Sequence, residues 1–209
     1  MLTLASLALF LAAAVPLILA PGPDTLYVLS RAVGQGRRYG VLSALGVGTG
    51  LWVHILAATV GLSALLRASA LAFAAVRYAG AAYLIYLGIR TLWSHGPSLA
   101  RDQGTDAAPA RIFAQAVVTN VLNPKVALFF LAFIPQFIDP ARGSVAWQIL
   151  QYGAIYDVLG IAWLTAVAAG SGTIGALLAR DRRALRAQRW LTGGIMLALG
   201  LRLALPEQR

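Results

Sequence analysis

The chain has 209 residues, of which 59% are hydrophobic and only 11% charged, and its mean hydropathy is +0.75. A soluble domain carries about 25% charged residues, so this much apolar surface cannot be hidden in one water-facing core and must meet lipid. With no cysteine and two histidines, disulfides, thiol catalysis and cysteine-ligated metals are excluded. The net charge of +10 then reads as a membrane-topology signal and not as a nucleic-acid surface.

Six apolar runs follow one another, each close to the roughly 20 residues that cross a bilayer as a helix. Leu2 to Ala20 has no charge, and neither does Tyr39 to Leu66, which holds His54. Ala68 to Ile89 holds Arg77, Ile112 to Ile138 holds Lys125, Gly143 to Ala179 holds Asp157, and Trp190 to Leu205 holds Arg202. The first run lacks a basic leader and is long for a signal-peptide core, so a mature first helix is expected. Basic residues concentrate after runs one, three and five: Arg31, Arg37 and Arg38; Arg90, Arg101 and Arg111; and Arg180, Arg182, Arg183, Arg186 and Arg189. That asymmetry places these loops in the cytoplasm and both termini outside.

An internal repeat accompanies the six runs. Arg77 to Arg90 reads RYAGAAYLIYLGIR and Arg189 to Arg202 reads RWLTGGIMLALGLR. At a constant offset, Arg77 falls on Arg189, Leu84 on Met196, Gly88 on Gly200 and Arg90 on Arg202, whereas Gly80 falls on Thr192 and Ala81 on Gly193. Three spans per unit reverse the orientation of the second unit, which is a transporter architecture. The expected organisation is all-α and integral to the membrane: a first three-helix repeat at 1–93, a cytoplasmic linker at 94–111 and a second, inverted repeat at 112–209.

Each half carries a proline break. In the first, Pro21, Gly22, Pro23 and Asp24 either end span one at the interface or unwind a turn within it, because proline removes a backbone donor. Unwound backbone at membrane depth is tolerated only against protein or water, and it is there that small zwitterions and ions bind. In the second, Asn120, Asn123, Pro124 and Lys125 form the matching break. A lysine inside the bilayer costs roughly 3 kcal/mol on insertion scales and needs a partner, for which Asp24 is the obvious choice. Asp157, flanked by Tyr156 and Val158, is the other intramembrane carboxylate. It reads either as a proton carrier or as a structural hydrogen bond between helices. Gly46, Gly48 and Gly50 in span two read as close-packing positions, and His54 as a satisfied helix contact ahead of a proton relay.

These motifs together resemble the LysE/RhtB amino-acid exporters: PGPD from Pro21, the glycine-spaced second span, GAAYLIYLGIR from Gly80, NPK from Asn123 followed by Phe129 and Phe130, and Pro135-Gln136-Phe137. The resemblance covers nearly the whole chain. It implies a bacterial inner-membrane carrier that exports amino acids or their derivatives by secondary transport coupled to protons. It also implies a homodimer, no enzymatic activity, no cofactor, no metal and no nucleic acid. Carried over by motif, Pro21, Gly22, Pro23, Asp24, Asn123, Pro124 and Lys125 form the substrate region. Relatives of this type commonly have Asn where this chain has Asp24, an extra acidic group here. The reading of the residues adds Asn120 to the substrate region and gives the coupling proton to Asp24 or Asp157. A metal-ion exporter on a related scaffold and an intramembrane enzyme acting on lipid are the alternatives.

Overall fold

The computed structural model describes residues 2–20, 22–68, 70–93 and 108–171, with residues 186, 190, 193, 194, 196–198, 200, 201, 204 and 205 of the C-terminal part. Among these residues the regular structure is entirely helical. Helix α1 covers Leu4–Leu19, α2 Pro23–Gly34, α3 Arg37–Ala68 and α4 Ala70–Trp93. Helix α5 covers Pro109–Val121 and α6 Pro124–Leu128. The latter runs on through a π-helical turn, Phe129–Phe133, and a 3-10 turn, Ile134–Phe137. Helix α7 covers Val145–Ala169.

Local chemistry explains the boundaries. Thr3 and Ser6 form a reciprocal capping box that starts α1. Ser144 caps α7, accepting from the Trp147 amide at 3.4 Å, and Gly170 caps its other end, while the expected run from residue 172 to Ala179 lies outside the described residues. Pro23, Pro109 and Pro124 each occupy a first-turn position, where the missing N–H costs nothing. Residues Pro109 to Arg111, expected in the linker, therefore belong to α5, and the rest of the linker from 94 to 107 lies outside the described residues.

Among the described residues, two helices are long and apolar enough to cross a membrane, over Arg37–Gly61 and Val145–Ala169. Two bent pairs bring that number to four if each is one span: α1 with α2, bent by 47°, and α5 with α6, bent by 45°. After Gly22 the chain resumes as helix α2, so the PGPD motif falls at the bend between α1 and α2. Arg31, expected in a cytoplasmic loop, is buried on α2, where its guanidinium donates to Gln115 Oε1 at 3.0 Å and lies over the Tyr27 ring.

Close packing runs through glycine. A Cβ at Gly46 would meet Ala116 Cβ and Phe113 O at 2.7 Å, and one at Gly50 would meet Val117 O at 2.7 Å, so α3 lies directly on the α5 backbone. Gly48 faces α7 at Ile161. Between α4 and the C-terminal helical residues the contacts are reciprocal. A Cβ at Gly88 would meet Leu197 Cγ at 2.8 Å and Gly193 O at 2.9 Å, while one at Gly200 would meet Ile85 Cγ1 at 2.7 Å and Ala81 O at 2.9 Å.

Two cores result. An aromatic one joins Phe10, Phe129, Phe130, Phe133, Tyr152 and Tyr156, with Phe10 and Tyr152 rings 4.7 Å apart and Phe129 and Tyr156 rings 4.5 Å apart. The other is built from small residues of α2, α3, α5 and α7, among them Val28, Ala32, Ala44, Ala116 and Ala168. The outer surface stays apolar: Val53, Leu56, Val60, Leu131 and Val158 are exposed, as a lipid-facing surface requires. Hydroxyls on α3 turn back onto their own helix, Thr49 to Leu45 O and Thr59 to Ile55 O, which satisfies them without water.

Candidate functional site

The two breaks meet. Asp24 sits in the first turn of α2, where the N-terminal end of the helix dipole favours an anion. Its Oδ2 accepts from Asn120 Nδ2 at 2.9 Å and from Asn123 Nδ2 at 2.8 Å. Asn123 works twice, because its Oδ1 also caps α6 by accepting from the Lys125 amide at 3.0 Å. All four residues are buried. Of the residues expected in the substrate region, Gly22, Pro23, Asp24, Asn120, Asn123, Pro124 and Lys125 lie at one junction, and Pro21 lies outside the described residues.

Asp24, the expected partner of Lys125, is close enough to feel its charge but is not its direct partner. Lys125 Nζ donates to Ala20 O at 2.8 Å and Leu17 O at 3.0 Å, and forms no ion pair with Asp24. The last carbonyls of a helix have no partner within it, and a cation there also meets the negative end of the dipole. Lysine thus satisfies the broken end of α1 across the junction. Gly22 lies against the end of the Lys125 side chain, where an added Cβ would stand 3.4 Å from Nζ.

Asp157 lines the same cavity as Asp24, Asn120 and Lys125. Trp52 Nε1 donates to Asp157 Oδ2 at 3.0 Å, joining α3 to α7. His54 Nε2 bonds the Asn120 carbonyl at 3.1 Å, and its ring stacks near Phe130. That is the satisfied-contact reading of His54, and as the donor this nitrogen carries the proton. It also holds the residue that braces Asp24.

Neither Trp52 nor the trio of Tyr27, Arg31 and Gln115 was found by sequence reasoning. Tyr27 Oη donates to Ile112 O at 2.9 Å, on α5, which fastens α2 beside the junction. Spacing of i, i+3 and i+7 from Asp24 puts Tyr27 and Arg31 on the same side of α2, the one signal that could have pointed to them.

Four buried polar atoms on the cavity's residues have no hydrogen-bond partner: Asp24 Oδ1, Asn120 Oδ1, Asp157 Oδ1 and Trp163 Nε1. A buried polar group costs about 1–3 kcal/mol unless a protein group, water or ligand meets it.

Helices bent around prolines, charges held at their broken ends, an apolar outer face and a central cavity define a membrane translocator. The chain belongs to the LysE type translocator family, whose pattern matches residues 15–207. It is a translocator and not an enzyme. It is 29% identical to a leucine efflux protein of Salmonella typhimurium over 196 residues, 93% of this chain and 92% of that protein. It is 32% identical to a homoserine/homoserine lactone efflux protein of the same organism over 188 residues, 90% of each. Identity to an uncharacterized membrane protein of Vibrio cholerae is 38% over 133 residues, 64% of this chain and 65% of that protein. No solved structure matches the chain.

Proposed function

We propose that this chain is a secondary carrier that exports amino acids or their derivatives across the bacterial inner membrane in exchange for protons. The observation that carries the reading is Asp24: a carboxylate buried at the meeting point of two helix breaks, braced on Oδ2 by two asparagines and unpartnered on Oδ1. A fixed anion with one free oxygen is suited to a cargo ammonium, and equally to a proton, and competition between the two gives exchange. Asp157, in the same wall, is the second proton site. Pro21, Gly22, Pro23, Asn120, Asn123, Pro124 and Lys125 shape the substrate region. The leucine and homoserine exporters among the relatives support the cargo class.

The carrier crosses the membrane six times as two inverted repeats, 1–93 and 112–209, with both termini periplasmic, and works as a homodimer. The glycine contacts support the repeat. Exchanging the two halves through their sequence offset turns the Gly88 contacts with Leu197 and Gly193 into the Gly200 contacts with Ile85 and Ala81, as a two-fold relation requires. The breaks add to it, since residues in equivalent places after Pro23 and Pro124 each reach across to the other half.

Everted vesicles supplied from outside with a panel of radiolabelled amino acids and homoserine lactone test the reading. Uptake of at least one cargo should rise with an imposed pH gradient, and it should be lost in Asp24→Asn at equal expression. Uptake that ignores the gradient removes proton coupling. Unchanged uptake in both Asp24→Asn and Lys125→Met removes the site.

A further inference from the structure

Trp163 is a half-buried residue of α7 that lies between the two cores. Its ring packs against both the aromatic core and the small-residue core, and it lines the cavity that holds Asp24 and Asp157. Its Nε1–H is buried and unpartnered. Buried tryptophan normally finds an acceptor for this group. Trp52, on the facing helix, does so on Asp157.

The cavity's unpartnered atoms divide by chemistry. Asp24 Oδ1, Asn120 Oδ1 and Asp157 Oδ1 are acceptors, matched to the N–H groups of an ammonium. Trp163 Nε1–H is a donor, matched to a carboxylate or carbonyl oxygen. Lys125, the cation in the same wall, already spends two of its three N–H groups on Leu17 O and Ala20 O. Much of the remaining wall is aliphatic, including Ile18, Val47, Leu51 and Val126.

We propose that Trp163 is a substrate-binding residue whose indole N–H receives the acyl oxygen of the cargo while Asp24 receives its amino group. The site then selects α-amino acids, or their acyl derivatives, with uncharged apolar side chains. The inference rests on the amino-acid reading of the same cavity.

The test uses the full chain. In everted vesicles, leucine transport is compared between wild type, Trp163→Phe and, as a control at an exposed tryptophan, Trp147→Phe. Competition by 3-methylbutylamine, which is leucine without its carboxylate, is measured in each. Trp163→Phe keeps the ring and removes the N–H. Loss of one hydrogen bond to a charged group should raise the KM for leucine about tenfold and leave kcat within about twofold. In wild type the amine should compete far more weakly than leucine, and in Trp163→Phe that gap should close. An unchanged KM, or a gap that persists, overturns the assignment. Should the variant fail to fold, ¹⁵N-tryptophan spectra of purified protein give the answer instead. Leucine should shift an indole N–H signal, and it should be that of Trp163, identified by selective quenching from a spin label placed on α7. A Trp163 signal that ignores leucine overturns the proposal. Wild-type vesicles that carry no amino acid at all would instead remove the amino-acid reading, and this inference with it.

Discussion

The two helix breaks share a plan and differ in what they leave over. At each, an extended residue precedes a proline that opens the next helix, and a charged residue follows in its first turn. Lys125 turns its charge to the broken end of the other pair and gives two N–H groups to carbonyls that lost theirs. Asp24 is held from the other side by Asn120 and Asn123, but on one oxygen only. The basic break is therefore largely consumed in holding the junction together, and the acidic break keeps an acceptor in reserve. Equivalent positions in two halves need not do equivalent work. Here one is a brace and the other a binding point.

The strongest way to break this comparison is to remove the reserve. Asp24→Asn keeps the shape and loses the anion. Transport should fall at least about a hundredfold, as for loss of a fully desolvated charge contact, with the midpoint of thermal unfolding in detergent shifted little. Lys125→Met should lower both quantities. Transport should drop strongly and the purified protein should unfold several degrees earlier, because two buried carbonyls are left without a donor. If the breaks were interchangeable, the double exchange Asp24→Lys with Lys125→Asp would restore activity. The account predicts that it does not, since a carboxylate cannot donate to Leu17 O and Ala20 O.

A smaller effect is expected at Asn123. Its replacement by alanine removes a helix cap, about 1 kcal/mol, together with one of the two braces on Asp24. The KM for cargo should rise more than unfolding stability falls, and equal losses would mean that Asn123 is only a cap. The mildest change is Asp157→Asn. Cargo-driven exchange should survive while the response to an imposed pH gradient weakens, and an unaltered gradient response would take the proton away from Asp157.

Much of this was legible in the chain because the signals were local. Prolines announce a break whatever surrounds them, and a charge among apolar residues announces a buried site. The spacing of Gly46 and Gly50 announced a face laid against another helix, which proved to be α5. What stayed hidden involves partners without a sequence label. Backbone carbonyls took Lys125 where a carboxylate was expected, and every residue supplies a carbonyl. Trp52 and Asp157 meet from helices 105 residues apart, and Tyr27 and Arg31 reach α5 over a similar separation. Arg31 was also misplaced for a physical reason. Its charge suggested a loop, but Gln115 and the Tyr27 ring give it a buried home.

The central claim is that cargo sits on Asp24, and chemical protection tests it most directly. A hydrophobic carbodiimide labels buried carboxyls, and mass spectrometry reads Asp24 and the surface residue Asp139 separately. The account predicts that an exported amino acid slows labelling of Asp24 several-fold and leaves Asp139 unchanged. Labelling of Asp24 that proceeds at the same rate with and without the exported amino acid would contradict it.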